Sequence, residues 1–137
     1  MYDVQRIGKI IADLQRYMND ARSYKIEKVS DLEDKRNYYA LSMVIFAILN
    51  RLLDLGNEII SAEELGAPEA YDRTMSILAK ANVINNEKAD SLNKLIARRN
   101  VLAHFYEDIT EKDLFAVFKE LYQIEDFIKT IKKRVKI

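Results

Sequence analysis

The chain has no cysteine, one proline, three glycines and a single histidine in 137 residues. Without cysteine there is no disulfide framework and no thiolate metal site. With one histidine, a zinc site within one chain would need several carboxylates, against that ion's ligand preference, so neither metal nor cofactor is expected. Three glycines and one proline leave little material for turns. No run of alternating β-branched residues bounded by turn signals occurs, which argues against a sheet. An excess of one charge is also lacking: 22 Lys and Arg balance 22 Asp and Glu. That removes the simplest argument for nucleic-acid binding, a strongly basic domain, but leaves room for a local basic patch. The N-terminal Met-Tyr-Asp-Val-Gln-Arg carries no apolar signal region. The apolar run from Leu41 to Leu55 is broken by Arg51 and Asp54 and is shorter than the ~20 residues of a membrane span. A cytoplasmic protein without a membrane segment is the expectation.

What is present favours helix. Apolar residues at 49% and charged residues at 32% are a globular balance, and the length suffices for one domain, 1–137, with a sizeable core. Val4, Ile7, Ile11, Leu14, Met18 and Ala21 recur at steps of three and four, predicting an amphipathic helix from about Asp3 to Ile26. Its polar face carries Arg6, Lys9, Asp13, Arg16 and Asp20. Ser30-Asp31-Leu32-Glu33 has the capping-box form, so a second helix is expected to start near Asp31. From Leu41 to Leu49 that helix is apolar on all sides and needs enclosing by other helices or a partner subunit. Gly56, inside the helical pattern, costs roughly 1 kcal/mol relative to alanine and implies close approach of another backbone.

Ser61 to Ala70, with Gly66 and Pro68, is the one substantial loop. A short helix, Tyr71–Ala81, places Met75, Leu78 and Ala79 inward. After a turn at 82–86, a helix from Glu87 to about Ala103 has Ala89, Leu92, Leu95, Ile96 and Leu102 as its apolar stripe. Thr110 resembles an N-cap for a last helix with Leu114, Val117, Phe118, Leu121, Ile124, Ile128 and Ile131 inward. That helix ends in Lys129, Lys132, Lys133, Arg134 and Lys136. These cations complement the negative end of the helix dipole; the alternative is a phosphate-attracting patch. The whole predicts an all-α, up-and-down bundle of about five helices.

The stretch with most chemistry is Arg99-Asn100-Val101-Leu102-Ala103-His104-Phe105-Tyr106. In a continued helix Arg99 and Tyr106 share a stripe, as do Asn100 and His104, the two pairs covering an arc of roughly 160°. Convergence on one site needs a loosened helix end or a second chain. Arginine offers paired donors to phosphate oxygens. Histidine titrates near neutrality and can give or take a proton. This set suits metal-independent attack of an RNA 2′-hydroxyl on its neighbouring phosphate. Taken one by one, the residues also have plain readings: a histidine at a helix C-terminus, an ion-pairing arginine, a packing tyrosine.

Arg99-Asn100-x-x-x-His104-x-Tyr106 resembles the R-x4-H-x-Y motif of HepT-like toxins, a branch of the HEPN superfamily. Leu53-Asp54-Leu55-Gly56-Asn57-Glu58-Ile59-Ile60, Gly66-Ala67-Pro68-Glu69-Ala70-Tyr71 and Ala81-Asn82-Val83-Ile84 are similar to that family's order of segments. The resemblance runs from the second helix to the last. It implies a HEPN-like helical homodimer whose motifs line a shared cleft. It implies a metal-independent endoribonuclease toxin acting on RNA, paired with an MNT-type nucleotidyltransferase antitoxin that transfers AMP to Tyr106. Arg99 and His104 would be catalytic and Asn100 supporting. Asp54 and Asn57 match recurring polar positions behind the site. One departure stands before the motif: Ala97 and Arg98 replace a glycine and an apolar residue, adding a cation. The alternative is a non-catalytic helical subunit that binds nucleotide, or serves as a scaffold, beside a minimal nucleotidyltransferase, with Arg99 on a nucleotide phosphate. A further alternative is a purely structural bundle.

Overall fold

The computed structural model describes residues 1–69, 73–103 and 109–137. Its helices are α1 (Val4–Ser23), a short 3-10 helix (Val29–Glu33), α2 (Lys35–Ala62), α3 (Thr74–Lys80), α4 (Asn86–Ala103), α5 (Glu111–Lys119) and α6 (Tyr122–Val135). Among the described residues no strand occurs, in keeping with the all-α expectation.

α1 begins where Asp3 caps the backbone N–H of Arg6 at 3.0 Å. Ile7, Ile10, Ile11, Leu14, Met18 and Ala21 are buried, whereas Val4, expected inward, is exposed. Asp13 was expected on the solvated face and is instead buried. Its carboxylate takes Lys9 at 2.9 Å, Arg16 at 3.2 Å and Arg51 of α2 at 2.7 Å. Three cations around one carboxylate offset the cost of removing it from water. The hydrogen bond from Lys9 leads in holding the Asp13 carboxyl below its usual range, with Arg51 adding to it against the opposing effect of burial.

The expected capping box at Ser30 and Glu33 does not form. Asp31 instead accepts from the backbone N–H groups of Glu27 (2.8 Å) and Lys28 (3.1 Å), closing the 3-10 turn. α2 starts later, at Lys35, with Asp34 accepting from the N–H of Arg36 at 2.9 Å. α2 is the central helix: α1, α3 and α4 all pack on it. Leu41, Ile45, Ile48, Leu49, Leu52, Leu53, Leu55, Ile59 and Ile60 form its buried side. Enclosure is one-sided, because Tyr39 and Met43 stay exposed. By length and composition α2 could cross a membrane, and half of its most apolar window is buried inside the fold, as in the core helix of a folded domain.

Gly56 does mark a close approach, but the neighbour is a side chain rather than a backbone. A Cβ added there would lie 2.8 Å from Cγ2 of Thr74 and 3.5 Å from Cε of Met75. α3 thus packs tightly on α2. It begins at Thr74, and Ala70, Tyr71 and Asp72, part of the expected loop and short helix, lie outside the described residues. α4 buries all five of its predicted residues, Ala89, Leu92, Leu95, Ile96 and Leu102. The expected last helix is two. Thr110 caps α5 through the N–H of Asp113 at 3.1 Å. Around Leu121 the bonds tighten, Gln123 N–H to Glu120 and Ile124 N–H to Leu121, before α6 resumes.

With little glycine available, non-glycine residues take the left-handed positions after helices. Lys25, Glu64, Asn82 and Lys136 have φ of 55°, 56°, 60° and 61°. Leu65 N–H returns to Ile60 and Val83 N–H to Leu78, the wrapped hydrogen bond of a helix C-cap. At one end of the bundle Glu63 receives Arg134 through two bonds of 2.7 Å and the hydroxyl of Tyr2 at 2.5 Å. The end of α6 is therefore partly engaged in an ion pair rather than presenting every cation to solvent.

Candidate active site

α4 runs back along α2 toward the N-terminal half of that helix, and this delivers Arg99 to α2. Nε of Arg99 donates to Oδ1 of Asn50. Its guanidinium carbon lies 5.7 Å from the ring centroid of Phe46, one turn earlier on α2, within cation–π range. Nη1 of Arg99 donates to Oδ1 of Asn100 at 3.4 Å. Arg99 is half-buried and Asn100 exposed, so the guanidinium is braced from behind and from its own helix. A planar cation held this way loses less rotamer freedom on meeting an anion.

His104 and Tyr106 lie outside the described residues, together with Phe105, Glu107 and Asp108. The chain is described again at Ile109, which is buried. Its carbonyl oxygen accepts from the hydroxyl of Tyr38 at 2.5 Å. The motif segment is thus tied to α2 on both flanks, at Asn50 before it and at Tyr38 after it. Those two anchors are about 18 Å apart by helix rise.

The other candidates on α2 have partners of their own. Asp54 pairs with Arg51 at 3.0 Å. Asn57 is exposed and accepts from the Thr74 hydroxyl at 3.3 Å. At steps of four and three from Asn50 they continue its stripe of α2 toward the C-terminus, and the α2 side chain that bonds Arg99 is Asn50. Asn50 carried no sequence signal beyond its polarity within an apolar run. Arg98, the extra cation before the motif, is exposed and lines a groove of about 550 Å³ between α4 and α5 with Lys94, Val101, Asp113 and Glu120. Among the described residues no group of three or more His, Asp or Glu stands together as a metal site. The arrangement offers a fixed cation for a phosphate beside a segment carrying the only imidazole of the chain.

The family described as Ribonuclease HepT-like matches residues 7–133. YutE of Bacillus subtilis (strain 168), a provisional RNase, is 29% identical over 104 residues, 75% of this chain and 72% of YutE. A solved structure of YutE, described as a cytosolic protein, superposes with a TM-score of 0.85 at 25% identity, covering 99% of this chain and 94% of that one. The mRNA nuclease HepT of Shewanella oneidensis is 30% identical over 81 residues, 58% of this chain and 61% of HepT. The tri-AMPylated Shewanella oneidensis HEPN toxin, solved in complex with MNT antitoxin, shares the fold with a TM-score of 0.86 at 24% identity, covering 97% and 99%.

Proposed function

The chain belongs to the HepT-like ribonuclease family, and from that membership we propose that it is a metal-independent endoribonuclease toxin of a HEPN/MNT toxin–antitoxin pair. It acts in the cytoplasm as a homodimer, 1–137 forming one helical domain, with the two motifs facing a shared cleft. The observation that carries the reading is the bracing of Arg99 by Asn50 and Phe46 beside the motif.

In this mechanism Arg99 holds the scissile phosphate and stabilises the charge that builds on its oxygens in the transition state. One imidazole removes the proton from the 2′-hydroxyl, and that oxygen attacks the adjacent phosphorus. The P–O5′ bond breaks, and the leaving oxygen receives a proton from an acid. The products are a 2′,3′-cyclic phosphate and a 5′-hydroxyl. Each chain supplies a single histidine, so His104 of two protomers provides the base and the acid. Asn100, within reach of Arg99, supports the guanidinium. Tyr106 is the acceptor of AMP from a nucleotidyltransferase antitoxin. An adenylate there adds bulk and negative charge two residues from His104 and repels the RNA backbone.

The test is RNA cleavage in EDTA by the wild type, Arg99→Ala and His104→Ala, with end-group analysis of the products. Cleavage by the wild type alone, leaving cyclic phosphates, supports the reading. Equal cleavage by all three, or none by the wild type across varied RNAs, sinks it. Intact mass after co-expression with a cognate nucleotidyltransferase tests the modification: adenylate on the wild type and none on Tyr106→Phe is expected. Nucleotide binding by that complex, with no cleavage in any form, would favour the non-catalytic subunit instead.

A further inference from the structure

Tyr39, Met43, Phe46 and Asn50 recur at steps of four, three and four along α2 and so share one stripe. Arg99 occupies its lower half, over Phe46 and against Asn50. The upper half is uncovered: Tyr39 is 55% exposed and Met43 54%. Tyr39 nonetheless has a fixed neighbour. Its ring meets that of Tyr38 edge-on, with centroids 5.6 Å apart and planes at 77°. Tyr38 in turn is pinned to the carbonyl of Ile109. An aromatic ring open to solvent, steadied from one side, therefore stands about 10 Å by helix rise from the ring beneath the Arg99 guanidinium.

We propose that Tyr39 is a stacking platform for an unpaired nucleobase of the RNA, next to the phosphate that Arg99 holds. This rests on the functional reading above and adds the residue that grips substrate beside the scissile bond. Single-stranded nucleic acid is bound by pairing a cation for the backbone with an aromatic face for a base, and this stripe sets both on one rigid helix. The net charge of zero makes such a contact more important, since general electrostatic attraction contributes little. Met43, between the two, supplies an apolar floor for the sugar and the base edge.

The test uses full-length protein and 2′-O-methyl RNA ten-mers, which block the attacking hydroxyl, with 2-aminopurine as the reporter base. Tyr39→Phe keeps the platform, whereas Tyr39→Leu keeps apolar bulk without the π-face. Wild type and Tyr39→Phe should bind with similar affinity and quench 2-aminopurine. Tyr39→Leu should bind roughly 5- to 150-fold more weakly and leave the reporter bright, with its sedimentation mass unchanged. Undiminished binding and quenching by Tyr39→Leu overturns the proposal. A change of oligomeric state in Tyr39→Leu also overturns it, since the stripe is then a contact between copies of the chain. RNA binding that ignores Tyr39 removes this inference alone; failure of the wild type to bind or cleave RNA removes the functional reading with it.

Discussion

Oδ1 of Asn50 accepts the Nε–H of Arg99, a residue 49 positions later in the chain. The bond ties the motif arginine to the middle of the central helix. Replacing Asn50 by alanine removes the acceptor and leaves the packing largely intact. The expected result is a fall in kcat of roughly 10- to 100-fold through misplacement of the cation, with an unchanged melting curve. Asn50→Asp retains an oxygen but sets a negative charge beside Arg99, so its KM for RNA should rise as well. Wild-type kinetics in Asn50→Ala would show that Arg99 needs no such support.

Gly56 and Thr74 provide a stability test. Alanine at 56 gains helix propensity, roughly 1 kcal/mol, but drives its Cβ to 2.8 Å from Cγ2 of a buried threonine. Overpacking of this kind costs about 1–3 kcal/mol, so Gly56→Ala should lower the denaturation midpoint. Adding Thr74→Ser removes that methyl while keeping the hydroxyl bonded to Asn57, and the double variant should recover stability. Equal midpoints for both variants would mean that α3 yields without cost.

The left-handed C-cap positions predict the opposite sign. Lys25 is exposed at a φ of 55°, where an L side chain costs about 1–2 kcal/mol. Lys25→Gly should stabilise the fold by up to about 1 kcal/mol in urea melts, since glycine repays part of the gain in unfolded-chain entropy. A lower midpoint would contradict the assignment.

Stability should also fall at both extremes of pH. Asp13 and Glu63 are held below the usual carboxylate range, Asp13 chiefly by the Lys9 hydrogen bond and Glu63 chiefly by that of Arg134. A depressed folded-state pKa gives stability that is complete above the unfolded value and lost as pH falls through the folded one. The acid limb should therefore begin below about pH 4. Tyr2 is raised above its usual value, chiefly by its hydrogen bond to Glu63. Its contribution is full below the unfolded value and lost as pH climbs through the folded one, above about pH 10. Glu63→Gln should flatten both limbs in urea melts run across pH, whereas Asp13→Asn should flatten only the acid one.

The residues explain what the sequence could disclose. Helical periodicity located every buried position of α4, because one face of one helix is a local property. Asp13 escaped that logic, since its burial depends on Arg51, 38 positions away. Asn50 escaped it for the same reason. The break between α5 and α6 has no glycine or proline to announce it, only a change of hydrogen-bond step near Leu121. Arg99 and Asn100 were visible through a motif, and their mutual contact followed from adjacency.

The cluster of Tyr2, Glu63 and Arg134 has a practical corollary. It gathers the first and last turns of the chain at the far end of α2, about 20 Å by helix rise from Asn50, which holds Arg99. A purification tag or a fluorescent fusion at either terminus should leave the Arg99 surface unobstructed. The two ends should also tolerate joining by a short linker, so that a permutant opened at Gly66, in the exposed loop after α2, would retain the same helical wiring.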